Sequence, residues 1–177
     1  HHGLHTILMG PSGCGKSALC KQLERCKQNF QKWNWVDILC GVHRRSHQVS
    51  NVLNSEMVRK SDTVLGAPPG TKVVLFLEDL HLPVRDEFGT QSVLEFLRQI
   101  ADRNGLYETV TNRWRDVEDM TMLSTSSGHR SMCARFLRHS VNLSLPDPDY
   151  KFLSSICSPF ITKFLAHGVG GVAFSPE

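Results

Sequence analysis

No Cys-x-x-Cys pair occurs in the 177 residues, although the chain carries six cysteines. That absence removes the zinc-ribbon and thioredoxin readings. With 40% hydrophobic residues the chain does not need a disulfide framework. Cys14, Cys20, Cys26, Cys40, Cys133 and Cys157 are therefore expected to be reduced and mostly to pack, as in an intracellular protein. No apolar run reaches the ~18 residues of a membrane-spanning helix. Leu4–Met9 is apolar but runs into a glycine loop, which is no signal-peptide pattern. An excess of one charge is also lacking: 20 Lys and Arg against 17 Asp and Glu give +3. So mild a balance, unclustered, does not point to direct nucleic-acid binding. Repeats and low-complexity tracts are absent. What remains is the composition of a packed domain, with length for one domain or one and part of a second.

Apolar periodicity divides the chain into alternating elements. Leu4–Met9 suits a buried strand, and Lys16–Gln28 a helix with Ala18, Leu19 and Leu23 toward the core. Trp33–Cys40 reads as a second strand and Ser46–Lys60 as a helix carrying Val49, Val52, Leu53 and Met57 inward. Gly66–Gly70, with two prolines, reads as a loop. Lys72–Leu77 is apolar on both faces, as a parallel strand covered by helices must be. Gln91–Asp102 has the 3–4 spacing of an amphipathic helix. Met120–Leu123 and Val141–Leu145 read as shorter strands, separated by a helical stretch near Ser131–His139. Phe152–Leu165 is a final helix, bent at Pro159. Alternating strands and helices predict an α/β domain around a largely parallel sheet with right-handed crossovers.

Gly10-Pro11-Ser12-Gly13-Cys14-Gly15-Lys16-Ser17 matches G-x-x-x-x-G-K-[ST]. The glycines let the backbone wrap so that successive N–H groups face phosphate oxygens. A helix starting at Lys16 and continuing through Ala18 aims its positive end at the same anion. Lys16 is expected to reach the β- and γ-phosphates of ATP or ADP, and the Ser17 hydroxyl to meet Mg2+. The preceding strand and following helix are the context this mechanism needs; the bland alternative is a glycine turn without a ligand.

Such a loop works with a carboxylate at the end of a neighbouring strand. Glu78-Asp79 follows the apolar run Val73–Leu77. The first acid is expected to hold the metal, with Ser17, and the second to polarise water. The commoner order is Asp then Glu, so here the metal ligand is one methylene longer and the base one shorter. Binding is thus a firmer expectation than hydrolysis. The alternative is two ordinary solvated acids.

The segment Gly66–Pro83, together with Asp86-Glu-Phe-Gly-Thr-Gln91 and Leu94-Glu-Phe-Leu-Arg-Gln99, resembles dynein heavy chains. Gly105-Leu-Tyr107, Trp114, Gly128-His-Arg130 and Arg135–His139 follow in the family's order. The match is closest to the third AAA+ module of the motor ring. It implies a five-stranded parallel sheet of order 5-1-4-3-2 with helices on both faces, spanning 1–146, with a β-hairpin insertion near 105–119. Residues 147–177 would begin a helical lid, cut short. The resemblance also implies ATP-dependent movement along microtubules. Partners would be neighbouring AAA+ modules, dynein intermediate and light chains, and microtubules through the parent protein. A cytoplasmic, cytoskeletal or ciliary axonemal setting follows, with no membrane partner.

The resemblance places an arginine finger at Arg135, acting in trans on the adjacent module's nucleotide; a helix-surface arginine is the equal alternative. Met120–Ser127 lies where a sensor Asn often stands, yet has none; Ser124 or Thr125 would have to substitute. Two further functions stay open: a non-hydrolysing module whose nucleotide sets ring geometry, and a small-molecule P-loop kinase. The kinase needs an acceptor site and a complete lid that the chain does not display. His43 and His47 stand at i, i+4 without a third metal ligand. Lys27–Lys32 with Trp33 and Trp35 mixes basic and aromatic residues as single-strand binders do, but the tryptophans also fit a strand. Phe88-Gly-Thr-Gln91 carries no chemistry that its spacing assigns.

Overall fold

A computed structural model describes residues 4–26, 32–108, 111–128 and 132–167. The chain divides into two compact units, His1–Leu145 and Pro146–Glu177. In the first, β1 (His5–Met9) leads through a loop into α1 (Lys16–Arg25). Then come β2 (Trp33–Leu39), α2 (Ser46–Glu56), the short strands β3 (Val58–Arg59) and β4 (Val64–Gly66), and β5 (Lys72–Glu78). After α3 (Ser92–Arg103) follow β6 (Gly105–Tyr107), β7 (Trp114–Glu118) and β8 (Met120–Ser126). A single turn, α4 (Ala134–Leu137), precedes β9 (Ser140–Ser144).

The main sheet has the order β2-β5-β8-β1-β9, and all four pairings are parallel. Numbering only its own strands, that is the expected 5-1-4-3-2 read from the opposite edge. Strand side chains alternate between faces, so each strand feeds two cores. On one face Ile7, Met9, Leu75 and Leu77 pack with Val49 and Leu53 of α2, Val93, Leu97 and Ile100 of α3, and Phe136 of α4. On the other, Leu8, Phe76 and Leu123 meet Cys20 of α1, with Trp35 tilted on Phe76 at 5.5 Å between centroids. The sheet thus stands between α1 and the other three helices.

A second sheet, β3-β4-β7-β6, was not foreseen. β6 and β7 form the expected hairpin, antiparallel with Tyr107 opposite Trp114. The helix read as Ser46–Lys60 stops at Glu56, because Val58-Arg59 leaves to pair with β4. Gly66, read as loop, is the last residue of β4. The expected inner face of α1 also needs correction: Ala18, Leu19 and Leu23 are exposed, and Lys16 and Cys20 are the buried positions. Short Cys20 fits where the helix lies close over Leu8 and Phe76, and the leucines point away. All six cysteines are free; Cys20 and Cys40 are buried and Cys133 packs against the core, while Cys26 and Cys157 are exposed.

In the second unit, α5 (Tyr150–His167) runs through Pro159. Asp149 caps it, its carboxylate accepting from the Phe152 N–H at 2.8 Å. No helix among the described residues is long and apolar enough to cross a membrane.

Candidate functional site

The loop between β1 and α1 is held by the strands on either side of it. The Gly10 N–H donates to the Ser126 carbonyl of β8 at 3.2 Å, and the Leu145 N–H to Met9 at 2.7 Å. A Cβ on Gly10 would meet the Leu145 carbonyl oxygen at 2.6 Å and Cys14 Sγ at 2.9 Å, so the close approach requires glycine. Gly13 and Gly15 adopt φ of 88° and 92°, and a Cβ on either would meet nothing within 4 Å. They bend the loop around open space, where a phosphate has room.

Lys16 opens α1 and is only 8% exposed. Its Nζ donates to the Gly10 carbonyl at 2.8 Å and the Pro11 carbonyl at 2.7 Å, and approaches Cys14 Sγ at 3.7 Å. The ammonium is thus fixed over the loop at a helix N-terminus, adding a full positive charge to the partial one there. Ser17 is half-buried one residue on, and Ser12 and Ala18 are exposed.

Register brings the acids to the same rim. Ser124 of β8 pairs with both Ile7 and Leu77, so Glu78 is level with Leu8 and Asp79 with Met9. With β8 between them, β1 and β5 lie about 10 Å apart. The Glu78 carboxylate helps push the Cys20 thiol up to about 11, behind the larger effect of burial. It therefore faces α1, the helix that carries Lys16 and Ser17. Asp79 behaves differently. Its backbone is left-handed, φ 56°, and its N–H donates to Thr125 Oγ1 at 3.0 Å. Cys40 is pushed up to about 12, first by burial; Arg44 opposes and the Asp79 carboxylate adds to it. The Asp79 carboxylate is thus within electrostatic reach of Cys40. Neither carboxylate has a hydrogen bond or ion pair among the described residues.

The residues considered as sensor substitutes are already engaged. Ser124 Oγ donates to the Thr6 carbonyl at 3.4 Å, and Thr125 Oγ1 receives the Asp79 N–H. Asp79's conformation and this support from Thr125 are what sequence reasoning missed; nothing in residue spacing signals a left-handed turn there.

Arg135 is exposed on α4, across the sheet from α1, and has no ion pair or hydrogen bond among the described residues. It lines a cleft of about 660 Å3 with Arg98, Arg103, Arg138, Glu95 and Asp102. Asp102 ties this cleft together, 3.6 Å from each of Arg98, Arg138 and His139. A second, smaller cavity of about 320 Å3 joins Arg135 to Arg85, Gly89 and Thr90. Among the described residues no three His, Cys, Asp or Glu side chains cluster as a metal site, so His43 and His47 gain no third ligand. Lys27–Gln31, His129 and Arg130 lie outside the described residues. Trp35 packs on Phe76 and donates Nε1–H to Asp37 at 2.7 Å, a strand role.

The family model of the P-loop containing dynein motor region matches residues 1–148. The chain belongs to that family. It is a dynein heavy chain AAA+ module. Human dynein axonemal heavy chain 6 is 30% identical over 92% of the chain, and the cytoplasmic dynein heavy chain of Saccharomyces cerevisiae is 31% identical over 85%. The chain spans 4% of the length of each. Among solved structures, the RuvB P216G mutant of Thermotoga maritima superposes with a TM-score of 0.63 at 17% identity, covering 92% of this chain and 45% of that one. That likeness shows the AAA+ fold alone.

Proposed function

We propose that this dynein-type module binds ATP or ADP with Mg2+ on Gly10–Ser17, as the third AAA+ module of a motor ring within a longer chain. The observation that carries this is the open glycine bend under a buried ammonium, with an unpartnered carboxylate facing the same helix. In this reading the backbone N–H groups of Gly13, Cys14, Gly15 and Lys16 bind phosphate oxygens, and Pro11 and Ser12 shape the turn that presents them. Lys16 neutralises the β/γ charge, and the α1 N-terminus through Ala18 adds its dipole. Ser17 and Glu78 are the metal-holding pair; Mg2+, when bound, supplies further positive charge on the phosphates. Asp79 orients water, and Arg135 serves the adjacent module. The parent chain moves along microtubules with dynein intermediate and light chains, in the cytoplasm or an axoneme.

Isothermal calorimetry with Mg-ADP tests the site. Charge-assisted hydrogen bonds are worth about 1.5–3 kcal/mol, so Lys16→Ala should weaken binding by roughly tenfold to a hundredfold. Equal affinities would remove the assignment.

A second reading has its own support: the module binds nucleotide without turnover, and the ligand sets ring geometry. The left-handed Asp79 and the engaged Thr125 and Ser124 favour it, because the water-polarising acid sits on an unusual backbone and the sensor substitutes already have partners. Nucleotide turnover in the full-length assembly separates the two. Loss of site-specific turnover on Asp79→Asn supports hydrolysis here; no change supports the structural role.

A further inference from the structure

The loop between β5 and α3 is exposed yet tightly organised. Phe88 is 89% exposed and Val84 61%, with Leu82 at 40% and Val42, after β2, at 46%. The Val84 N–H donates to the Val42 carbonyl at 3.3 Å, so the two loops form one apolar rim. Isolated exposed apolar residues are ordinary; four on adjoining loops, ending in a nearly bare phenylalanine, are not.

Disorder does not explain that exposure. Asp86 cages the tip: its carboxylate accepts from the Phe88 N–H at 3.0 Å, the Thr90 N–H at 2.8 Å and the Thr90 hydroxyl. The Asp86 N–H reaches the Thr90 carbonyl at 2.7 Å, and the Gly89 N–H the Asp86 carbonyl at 2.9 Å. Gly89, with φ 74°, permits the return. These bonds hold the Asp86 carboxyl below its ordinary range. A pre-set aromatic loses little freedom on docking, the quality of a binding anchor.

The next residues connect this tip to Arg135. Gly89, Thr90 and Arg135 line one cavity. The aromatic tip and the unpaired guanidinium therefore belong to one continuous face. We propose that Phe88 anchors in an apolar pocket of the adjacent AAA+ module of the same heavy chain, with Val42, Leu82 and Val84 packing around it. This rests on the reading that the module sits in a ring beside others. The matched heavy chains are far longer than this segment, so such a neighbour has chain to form it. The anchor fixes the distance at which Arg135 faces its neighbour.

The test uses the full-length heavy chain with a benzophenone amino acid at position 88. After irradiation and digestion, mass spectrometry should find the dominant cross-link in an adjacent AAA+ module. Adding Asp86→Ala should lower that yield several-fold, because the tip loses its cage. Cross-links confined to this module, directed to a second copy or another polypeptide, or absent altogether would overturn the proposal; an unchanged yield with Asp86→Ala would overturn the pre-setting. Phe88→Ala should leave Tm and nucleotide affinity at Gly10–Ser17 unchanged while slowing turnover at the adjacent module. A change in Tm would make Phe88 a fold residue instead. The finger reading fails separately: Arg135→Ala without effect on the adjacent module, alongside an intact Phe88 cross-link, removes the finger and leaves the contact.

Discussion

Acidic side chains occupy two contrasting settings in this molecule. At the rim of the main sheet, Glu78 and Asp79 are without hydrogen-bonding partners for their carboxylates among the described residues. In the small sheet, Glu108 has three: Thr111 Oγ1 at 2.6 Å, Arg115 Nη2 at 2.9 Å and Arg59 Nη2 at 2.6 Å. Arg115, only 5% exposed, also donates Nη1–H to the Asp62 carbonyl at 2.8 Å. The hairpin's charges are consumed by its own fold and brace β3, β6 and β7 against one another. The rim's charges are left over and face open loop. Partnered charge reads as structure and unpartnered charge as chemistry, and each side of that contrast can be broken experimentally.

The largest effect is expected from Arg115→Ala. Glu108 keeps Arg59 and Thr111, so the loss is that of one hydrogen bond between charged groups, about 1.5–3 kcal/mol, plus the packing of a buried side chain. Denaturant unfolding should register that loss, with nucleotide affinity at the remote loop retained. A loss below about 1 kcal/mol would mean that the network is ornamental and the contrast false.

Much of this was legible beforehand for definite physical reasons. The strand order follows from the resemblance, and Val73–Leu77 declares its double burial by being apolar on both faces. The loop Gly10–Ser17 has a spacing dictated by backbone geometry. The small sheet was hidden because β3 has two residues and β4 three, too short for a period to register. Met57 is buried, as helical spacing suggested, but it is already outside α2, so burial and helix end are confounded there. Leu19 and Leu23 are apolar yet exposed on α1, because apolar identity alone does not set which face of a helix turns inward. Asp79 stayed invisible because its conformation depends on Thr125, 46 residues along the chain.

Gly10→Ala attacks the rim through sterics. The added carbon would press on backbone, the Leu145 carbonyl, which cannot swing aside. Overpacking of this kind costs about 1–3 kcal/mol, and the loop should lose nucleotide affinity with it. Calorimetry and unfolding on the same sample check both; a variant of full affinity would show the loop to be looser than its hydrogen bonds imply.

Titration is a gentler form of the first perturbation. Thr111, then Arg115 and Arg59, hold the Glu108 carboxyl down at about 2, against an ordinary 4.5. A depressed acid stabilises the fold fully above its unfolded value. That contribution should therefore be intact above pH 4.5 and disappear as pH falls toward 2. Glu108→Gln should flatten this part of the stability profile. An identical slope in wild type and variant would assign acid sensitivity to other carboxylates and weaken the hairpin's side of the contrast.

The smallest expected effect is the most discriminating for the rim. Asp79 holds φ 56°, where a side chain costs roughly 1–2 kcal/mol relative to glycine. Glycine would relieve that strain but lose about 0.5–1 kcal/mol more in ordering its backbone. Asp79→Gly should therefore be neutral or stabilising by less than about 1 kcal/mol. It keeps the N–H that Thr125 accepts, so the local turn survives and only the carboxylate goes. If Asp79 is strained for the sake of chemistry, the variant folds at least as well and loses turnover in the full assembly. If it is strained for structure, unfolding shows a clear loss, and Asp79 belongs with Glu108 among the partnered acids. Should stability and turnover both stay unchanged, Glu78 alone carries the rim, and the nucleotide at this module is held rather than hydrolysed.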